Sequence, residues 1–229
     1  MPTKTLLITG ASSGIGLATA RLCAAQGYRI GLVARREALL REIQSEIGGE
    51  VLAHDVAQGP GALAEFAEGL GGDELVLVNN AGIAQFGPYD QMKWEDALAQ
   101  IQVNLAGLMA ATHAVLPRML ADGRGQIVNV LSIAARHVFP GAEAYAASKA
   151  GALMFGQSLS ASYRKHGIRV CNMLPGSTDT PIWDAGGWKP DAEDMLTPEA
   201  VAEAVVAVIS APDNRSFDEI TLMPPKGIL

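Results

Sequence analysis

The sequence predicts an α/β protein built on a doubly wound parallel β-sheet of about seven strands, with helices on both faces. Short apolar runs rich in β-branched residues alternate with helix-period stretches from one end of the chain to the other. Gly27 and Gly167 stand where a helix must stop before a strand, as expected for left-handed C-cap positions. No linker, repeat or low-complexity stretch divides the chain, so residues 1–229 are expected to form one domain.

The predicted elements alternate along the chain. The strands are expected at Thr5–Thr9, Arg29–Val33, Val51–His54, Leu75–Val78, Gln126–Val130, Arg169–Met173 and Glu219–Leu222. The helices are expected at Ile15–Gln26, Glu37–Ile47, Ala62–Leu70, Trp94–Leu120, Ala144–His166 and Pro198–Ser210. The stretch 176–197 follows neither period; its Trp183, Trp188 and Gly186-Gly187 pair favour a substrate loop or lid, against the alternative of a surface excursion.

Composition excludes several classes of function. The 17 Lys+Arg and 24 Asp+Glu residues give a net charge of −7, which argues against a nucleic-acid partner because such binding needs a basic face. Two cysteines cannot build a disulfide framework, so a reducing, cytoplasmic setting is expected. The four histidines have no metal-ligand spacing, so no metal is expected.

A membrane anchor is not expected. The N-terminal apolar run is too short for the core of a signal peptide. The stretch Ala97 to Pro117 carries no charge and is long enough to span a bilayer, but polar side chains such as Gln100, Gln102 and Asn104 interrupt it. We interpret it as a helix that is buried on most sides.

A glycine-rich turn follows the first predicted strand and leads directly into a helix. It reads Thr9-Gly10-Ala11-Ser12-Ser13-Gly14-Ile15-Gly16. Glycines in this position let the backbone turn tightly and approach a pyrophosphate, whose charge is stabilised at the helix N-terminus. The sequence therefore predicts a dinucleotide site here; a glycine turn without a ligand is the alternative.

The end of the second predicted strand indicates which dinucleotide binds. An NAD site would carry an acid there for the ribose hydroxyls, but the sequence reads Val33-Ala34-Arg35-Arg36. Guanidinium groups bind phosphate in a planar fork, so NADP(H) is preferred over NAD(H), which remains the alternative. Arg36 as a solvated residue of the next helix is an equal interpretation, and a Glu37 carboxylate bound to the ribose is a competing one.

The helix over 144–166 contains Tyr145-Ala-Ala-Ser-Lys149. Residues four apart lie on one helix face, and a lysine ammonium beside a phenol favours the phenolate. Tyr145 is therefore a candidate proton donor and acceptor. Ser132, thirteen residues upstream, ends an apolar strand at the edge where ligands bind in such sheets.

These motifs together resemble the short-chain dehydrogenase/reductase family in its compact form. The resemblance covers nearly the whole chain and rests on Thr9-Gly10-x-x-x-Gly14-x-Gly16, Asp55-Val56, Asn79-Asn80-Ala81-Gly82, Asn104, Ser132, Tyr145-x-x-x-Lys149 and Pro175-Gly176, in that order. It implies a seven-stranded Rossmann sheet and hydride transfer between a nicotinamide and a carbonyl or alcohol. Catalytically silent dinucleotide-sensing proteins and 3-oxoacyl-thioester reductases are the alternatives.

The resemblance also implies the catalytic roles. Tyr145 would protonate the carbonyl oxygen or deprotonate the alcohol, and Ser132 would hydrogen-bond the same oxygen. Lys149 would hold the nicotinamide ribose and lower the pKa of Tyr145. Asn104 would hold a water that links Lys149 to solvent; without the resemblance, a buried amide bonded to its own helix is the favoured interpretation.

The implied cofactor contacts extend along the chain. Asp55 would contact the adenine amine beside Val56, Asn80-Ala81-Gly82 would pass along the adenosine ribose, and Pro175-Gly176 with Thr180 would lie against the nicotinamide. Thr178 stands where members of the family often carry an apolar residue. The loop lacks the arginine of some NADP-dependent members, so Arg35 is expected to supply most of the cofactor preference. The whole predicted set is Gly10, Ser12, Ser13, Gly14, Ile15, Gly16, Arg35, Arg36, Asp55, Val56, Asn80, Ala81, Gly82, Tyr145, Lys149, Pro175, Gly176, Thr178 and Thr180.

Substrate recognition is the least determined feature of the sequence. Ser132, Ala134, His137 and Trp183 are candidate substrate contacts, and the substrate itself stays open beyond a small carbonyl or alcohol. The resemblance implies a homodimer or homotetramer paired through the helices Trp94–Leu120 and Ala144–His166, whose weakly charged faces fit burial.

Overall fold

The computed structural model describes residues 4–185 and 189–228. Within these ranges one sheet contains seven strands, all parallel, in the order β3-β2-β1-β4-β5-β6-β7. Its strands are β1 Lys4–Thr9, β2 Arg29–Ala34, β3 Glu50–Ala53, β4 Glu74–Asn79, β5 Gly125–Val130, β6 Ile168–Pro175 and β7 Glu219–Leu222. The predicted doubly wound Rossmann sheet is confirmed.

Helices cover both faces of this sheet. They are α1 Gly14–Ala25, α2 Glu37–Ile47, α3 Gly61–Gly69, α4 Trp94–Ile101, α5 Leu108–Asp122, α6 Glu143–Tyr163 and α7 Pro198–Ile209. Gly27 and Gly167 have φ angles of 83° and 81°, as the sequence predicts for residues that end a helix in the left-handed conformation. After α6, one 3₁₀ turn over Arg164–His166 leads to Gly167.

The single helix predicted over Trp94–Leu120 is wrong in one respect. A π-helical segment, Gln102–Gly107, separates α4 from α5. The apolar period of the sequence continues through this segment and therefore does not reveal the wider turn. Asn104 lies in it, and π-bulges are frequent at functional sites.

The strand period places alternate side chains in two cores. Leu6 and Ile8 of β1 pack with residues of α1 and α7 on one face, and Leu7 packs with residues of α3 and α5 on the other. Side chains of successive strand residues point to opposite faces, so one short apolar strand serves both layers. No helix in the described part of the chain is long and apolar enough to cross a membrane.

The strand order reverses between β1 and β4, and this reversal positions the site. In open α/β sheets, a crevice forms outside the carboxyl ends of the strands at such a switch point. A cavity of about 690 Å³ lies there. The stretch 176–197 contributes to its wall and is more regular than predicted. Its described part contains 3₁₀ turns at Pro181–Ala185 and Ala192–Asp194 and a parallel bridge between Thr178 and Leu196. Gly186-Gly187 and Trp188 lie outside the described residues.

Candidate active site

The cavity brings together most of the residues that the sequence singles out. Of the described candidates, the following line it: Gly10, Ser12, Ser13, Gly14, Ile15, Arg35, Arg36, Asp55, Val56, Asn80, Ala81, Gly82, Ser132, Ala134, Tyr145, Lys149, Pro175, Gly176, Thr178, Thr180 and Trp183. Gly16, Asn104 and His137 are not part of the wall that the described residues form. Each of these three residues lies outside the wall for a different physical reason.

The glycine-rich loop is fastened to the end of β4. Asn80 donates hydrogen bonds from Nδ2 to the carbonyls of Thr9 (3.1 Å) and Gly10 (3.2 Å), and the Thr9 hydroxyl accepts the backbone N–H groups of Asn80 and Ala81. Gly10 has a φ angle of 66°, and a Cβ atom there would lie 2.8 Å from the Ala81 Cα atom. Only glycine fits this close approach between two backbones.

Gly16 has a packing function. A Cβ atom at Gly16 would collide with Asn80 Nδ2 and with the carbonyl oxygen of Gly10. Because Gly16 has only a hydrogen atom in place of a side chain, α1 can lie directly against the glycine-rich loop. Gly16 therefore faces the loop and does not line the cavity. The absence of a side chain at Gly16 keeps the N-terminus of α1 close to the loop backbone.

The N-terminus of α1 fits a pyrophosphate. Its first turn carries no acidic residue, and the Ser13 side chain makes no hydrogen bond that would cap the helix. Ser13, Gly14 and Ile15 line the cavity at this end. Helix N-termini stabilise anions through free N–H groups and the helix dipole, so these residues fit the predicted dinucleotide.

Arg36 is held against the glycine-rich loop. Its Nη2 atom lies 3.0 Å from Ser12 Oγ and 3.4 Å from Ser13 Oγ. Two loop hydroxyls accept hydrogen bonds from this guanidinium, which favours a contact with the loop, and the interpretation of Arg36 as a solvated residue of the next helix stays open. Arg35 lies beside it in the cavity wall, and both side chains are exposed.

Glu37 belongs to the surface of α2. Its Oε1 atom pairs with Arg41 Nη2 at 3.3 Å, one turn along the helix, and within the described residues it is not part of the cavity wall. The competing interpretation, in which this carboxylate binds a ribose, is not supported. Arginines at the end of β2, rather than an acid, therefore face the cavity.

Asp55 and Val56 follow β3; Asp55 caps a 3₁₀ turn, and Val56 packs against the π-helical segment. The Asp55 carboxylate accepts the Ala57 N–H at 3.0 Å and caps the 3₁₀ turn Val56–Gln58, while the residue also lines the cavity. Val56 is buried and packs on Gly107, where a Cβ atom would lie 2.5 Å from Val56 Cγ2. Gly107 ends the π-helical segment, so this wall of the cavity rests on that segment.

Tyr145 and Ser132 form the polar centre of the other end of the cavity. Tyr145, on α6, is buried, and its hydroxyl shares a hydrogen bond with Ser132, which directly follows Leu131 after β5. Ser132 Oγ also accepts the Ala134 N–H at 3.1 Å. Burial raises the pKa of Tyr145 to about 12, and the hydrogen bond with Ser132 acts in the opposite direction.

Lys149 is oriented differently from the expectation. Its Nζ atom donates to the Val130 carbonyl at 3.3 Å and lies 5.7 Å from the centre of the Tyr145 ring. Burial lowers the pKa of Lys149 to about 8. In this geometry the hydrogen bond with Ser132 lowers the pKa of Tyr145, and the expected lowering by Lys149 stays a prediction.

Asn104 clamps the chain that follows β4. Its Oδ1 atom accepts the Ile83 N–H at 2.8 Å, and its Nδ2 atom donates to the Ile83 carbonyl at 2.8 Å and to Ser148 Oγ at 3.0 Å. The interpretation in which this amide bonds its own helix is therefore wrong. Asn104 is 1% exposed and lies behind the cavity wall.

Gly82 lies in the narrow space between Asn104 and Lys149. A Cβ atom there would lie 3.3 Å from Asn104 Oδ1 and 3.5 Å from Lys149 Nζ. Ser148, which the sequence motif leaves as an unspecified position, connects Asn104 to the backbone of Tyr145 by donating to its carbonyl at 2.7 Å. Its place beside Tyr145 and Lys149 on α6 is the only sequence signal that it carries.

Aromatic and aliphatic side chains build the cavity wall around Tyr145. The Phe86 ring lies 5.7 Å from the Tyr145 ring in an edge-to-face arrangement and 5.5 Å from the Trp183 ring. Ala84, Ala134, Phe139 and Ile182 belong to the same apolar cluster. Phe86, Phe139 and Ile182 carry no motif, so the sequence does not identify them as a set.

His137 is exposed and lies outside the cavity wall that the described residues form, so the structure gives no support to its assignment as a candidate substrate contact. Its N–H donates to the Ile133 carbonyl at 2.9 Å, just beyond the 3₁₀ turn Ile133–Ala135. This turn brings Ala134 to the cavity and carries His137 away from it.

The chain after β6 folds over the glycine-rich loop. Thr178 Oγ1 donates to the Gly176 carbonyl at 3.0 Å, and Trp183 Nε1 donates to the Thr178 carbonyl at 2.9 Å. A Cβ atom at Gly14 would lie 3.1 Å from Thr180 Cγ2. Thr178 therefore supports the turn that seats Trp183 in the cavity wall.

The sheet and this cavity together define a Rossmann-type oxidoreductase. The sequence profile of the short chain dehydrogenase family matches residues 4–188, most of the chain. The protein belongs to the short-chain dehydrogenase/reductase family.

Individual relatives align along nearly their whole length. A sulfoacetaldehyde reductase from Chromohalobacter salexigens is 33% identical over 244 aligned residues, covering 98% of this chain and 95% of that protein. The structure of an alcohol dehydrogenase from the archaeon Thermococcus sibiricus, complexed with 5-hydroxy-NADP, has a TM-score of 0.83 and 29% identity, covering 96% of each chain. The closed form of serine dehydrogenase complexed with NADP⁺ has a TM-score of 0.86 and 31% identity, covering 96% of this chain and 93% of that one.

Proposed function

We propose that the protein is an NADP(H)-dependent oxidoreductase that transfers a hydride between the nicotinamide and a carbonyl compound or secondary alcohol, with Tyr145 as general acid and base. The observation that carries this proposal is the buried Tyr145 hydroxyl, which is hydrogen-bonded with Ser132 in the wall of the cavity that the glycine-rich loop also lines. Family membership supports the reaction class.

The nicotinamide, when bound, supplies or accepts the hydride. In reduction, Tyr145 gives its phenolic proton to the carbonyl oxygen, so that a C–H and an O–H bond form while the C=O double bond becomes single. Ser132 donates a hydrogen bond to the same oxygen and stabilises the negative charge that develops there. In oxidation, Tyr145 accepts the hydroxyl proton instead.

Lys149 and Asn104 support this step from behind. Lys149, with a pKa near 8, carries its charge at neutral pH, lies beside Gly82 and is proposed to hold the ribose hydroxyls. Asn104 Oδ1 accepts one hydrogen bond, from Ile83, and a carbonyl oxygen has two lone pairs. The second lone pair can hold the water that the family resemblance assigns to a proton path from Lys149.

The cofactor preference is proposed to be NADP(H) over NAD(H). Arg36, fixed by Ser12 and Ser13, stands with Arg35 where a 2′-phosphate would lie. The solved relatives complexed with NADP⁺ and 5-hydroxy-NADP support this assignment. Asp55, Val56 and the Asn80-Ala81-Gly82 segment are proposed to hold the adenosine, and Pro175, Gly176, Thr178 and Thr180 the nicotinamide.

The test is turnover and binding by Tyr145→Phe. This variant removes the proton donor but keeps the ring, so we expect turnover of a panel of aldehydes and ketones to vanish while NADPH binding persists. Full activity in Tyr145→Phe would overturn the mechanism. Tight NADPH binding by the wild type with no turnover of any carbonyl would favour the alternative of a dinucleotide-sensing protein.

A further inference from the structure

The cavity wall near Tyr145 is almost entirely uncharged. Its side chains include Ala84, Phe86, Ala134, Phe139, Ile182 and Trp183. Trp183 Nε1 is bonded to the Thr178 carbonyl, so its ring contributes apolar surface. Aromatic walls favour aromatic ligands through offset and edge-to-face contacts, and an uncharged wall gives a carboxylate or sulfonate nothing to replace its hydration.

The cations of this cavity stand elsewhere. Among the described lining residues, Arg35 and Arg36 follow β2. Three strand spacings, on the order of 14 Å, separate β2 from β5, which Ser132 follows. Lys149 is buried and directed at the Val130 carbonyl.

A negative charge follows Trp183 directly in the cavity wall. Asp184 is exposed, lines the cavity next to Trp183, and has no ion pair or hydrogen bond with any residue in the described ranges. Lys189, the cation closest to it in sequence, pairs with Asp179 at 2.5 Å. Gly186, Gly187 and Trp188, which lie outside the described residues, have uncharged side chains.

We infer that this end of the cavity selects neutral aromatic carbonyl compounds and excludes anionic ones, with Phe86 and Trp183 as the recognition surface and Asp184 as the excluding charge. The inference rests on the proposed function, because it assumes that the carbonyl carbon lies beside Tyr145. It names the substrate class that the family and the catalytic residues leave open.

Methyl benzoylformate and benzoylformate test this directly, since they carry the same aryl ketone and differ by one negative charge. We expect the wild type with NADPH to reduce the ester with a kcat/KM that is at least about 100-fold higher. In Asp184→Asn this ratio should fall about tenfold, the effect expected from removing one partly screened negative charge from the cavity wall. Asp191→Asn is the matched control, because Asp191 is exposed outside the cavity wall, and it should leave the ratio unchanged.

Trp183→Ala should raise the KM for methyl benzoylformate more than for methyl pyruvate, which lacks the ring, whereas Trp183→Phe should keep most of the aryl preference. A ratio near one in the wild type overturns the inference. So does an equal effect of Asp184→Asn and Asp191→Asn.

Binding separates this inference from the proposed function. The Tyr145→Phe protein with NADPH cannot turn over in the proposed mechanism, so calorimetry on that complex reports recognition alone. Binding of the ester but not of benzoylformate supports the selectivity even if the wild type reduces neither compound, an outcome that defeats only the proposed function. Equal binding of both compounds, or binding of neither, overturns the selectivity whatever the turnover.

Discussion

Arg36 donates a hydrogen bond from Nη2 to Ser12 Oγ at 3.0 Å, which ties the end of β2 to the glycine-rich loop after β1. A flexible, exposed arginine is thereby held over the point where the adenosine ribose of a dinucleotide would lie in this fold. Because the guanidinium has five donors, it can keep the serine contacts and still bind a phosphate.

Arg36→Ala should therefore weaken NADPH binding. Loss of a charged hydrogen-bonding partner costs about 1.5–3 kcal/mol, or about 10- to 150-fold in Kd. NADH binding should change little because NADH has no 2′-phosphate. The measurement is a titration of both cofactors with Arg36→Ala, Arg35→Ala and Arg41→Ala. Arg41 pairs with Glu37 outside the cavity wall and is the control. Equal wild-type affinity for NADPH and NADH would refute the preference.

The pKa of Tyr145 gives a second prediction. In the protein without cofactor, burial keeps this phenol protonated until about pH 12. Ser132→Ala removes the hydrogen bond that opposes the effect of burial, so the pKa should rise further and alcohol oxidation should shift to higher pH. Ultraviolet difference titration of the wild type against Tyr145→Phe isolates this one phenol. A Tyr145 transition near neutral pH in the cofactor-free protein would contradict the prediction.

Lys149 gives a pH dependence of stability whose sign follows from its lowered pKa. Below about pH 8 the lysine is charged in both the folded and unfolded states, so the folded protein bears the full cost of the buried charge. Between pH 8 and 10.5 the unfolded state binds more protons, so this contribution to the free energy of unfolding rises with pH, by about 3 kcal/mol in all. Lys149→Met removes the buried charge, so its free energy of unfolding should exceed that of the wild type at pH 7. This excess should shrink between pH 7 and 10 in urea denaturation. A difference that is independent of pH would argue against the lowered pKa.

The sequence predicts the sheet well because the strands and helices have distinct local periods, and because Gly27 and Gly167 mark the points where two helices stop before a strand. It also predicts Tyr145 and Lys149, since a spacing of four residues on a helix needs no tertiary information. Three features depend on contacts between distant segments and are not predictable in this way. The π-helical segment keeps a helical period, the contact between Arg36 and Ser12 joins two loops, and Phe86 meets Trp183 across 97 positions of the chain.

Exposed apolar residues on α4, α5 and α6 support the proposed assembly. Trp94 is 65% exposed, Met109 43% and Met154 63%. Exposed large apolar side chains are typical of an interface between subunits. We expect light scattering to show a dimer or tetramer at micromolar concentration, and Met154→Glu to shift it towards smaller species. Val138→Glu is the control for the added charge, because Val138 is also exposed but does not lie on these three helices. A monomeric wild type would defeat the prediction.

A chain of buried amides connects three strands behind the site. Asn79 donates to Asn129 Oδ1 at 3.0 Å, and Asn129 donates to Asn172 Oδ1 at 2.9 Å. Gly156 of α6 lies against this chain: a Cβ atom there would collide with Asn172 Oδ1 and lie 2.8 Å from Asn129 Nδ2.

Gly156→Ala should therefore destabilise the protein, because the methyl group must displace the Asn172 amide, which is buried and hydrogen-bonded with Asn129. Overpacking of a core typically costs about 1–3 kcal/mol, and an unsatisfied amide adds to it. Gly61→Ala is the control, since a Cβ atom in the first turn of α3 meets nothing within 4 Å and alanine favours the helix. Chemical denaturation of both variants should show a lower unfolding free energy for Gly156→Ala alone. An unchanged value would mean that α6 moves away from the sheet at little cost, and Tyr145 and Lys149, on the same helix, would then have to tolerate that shift.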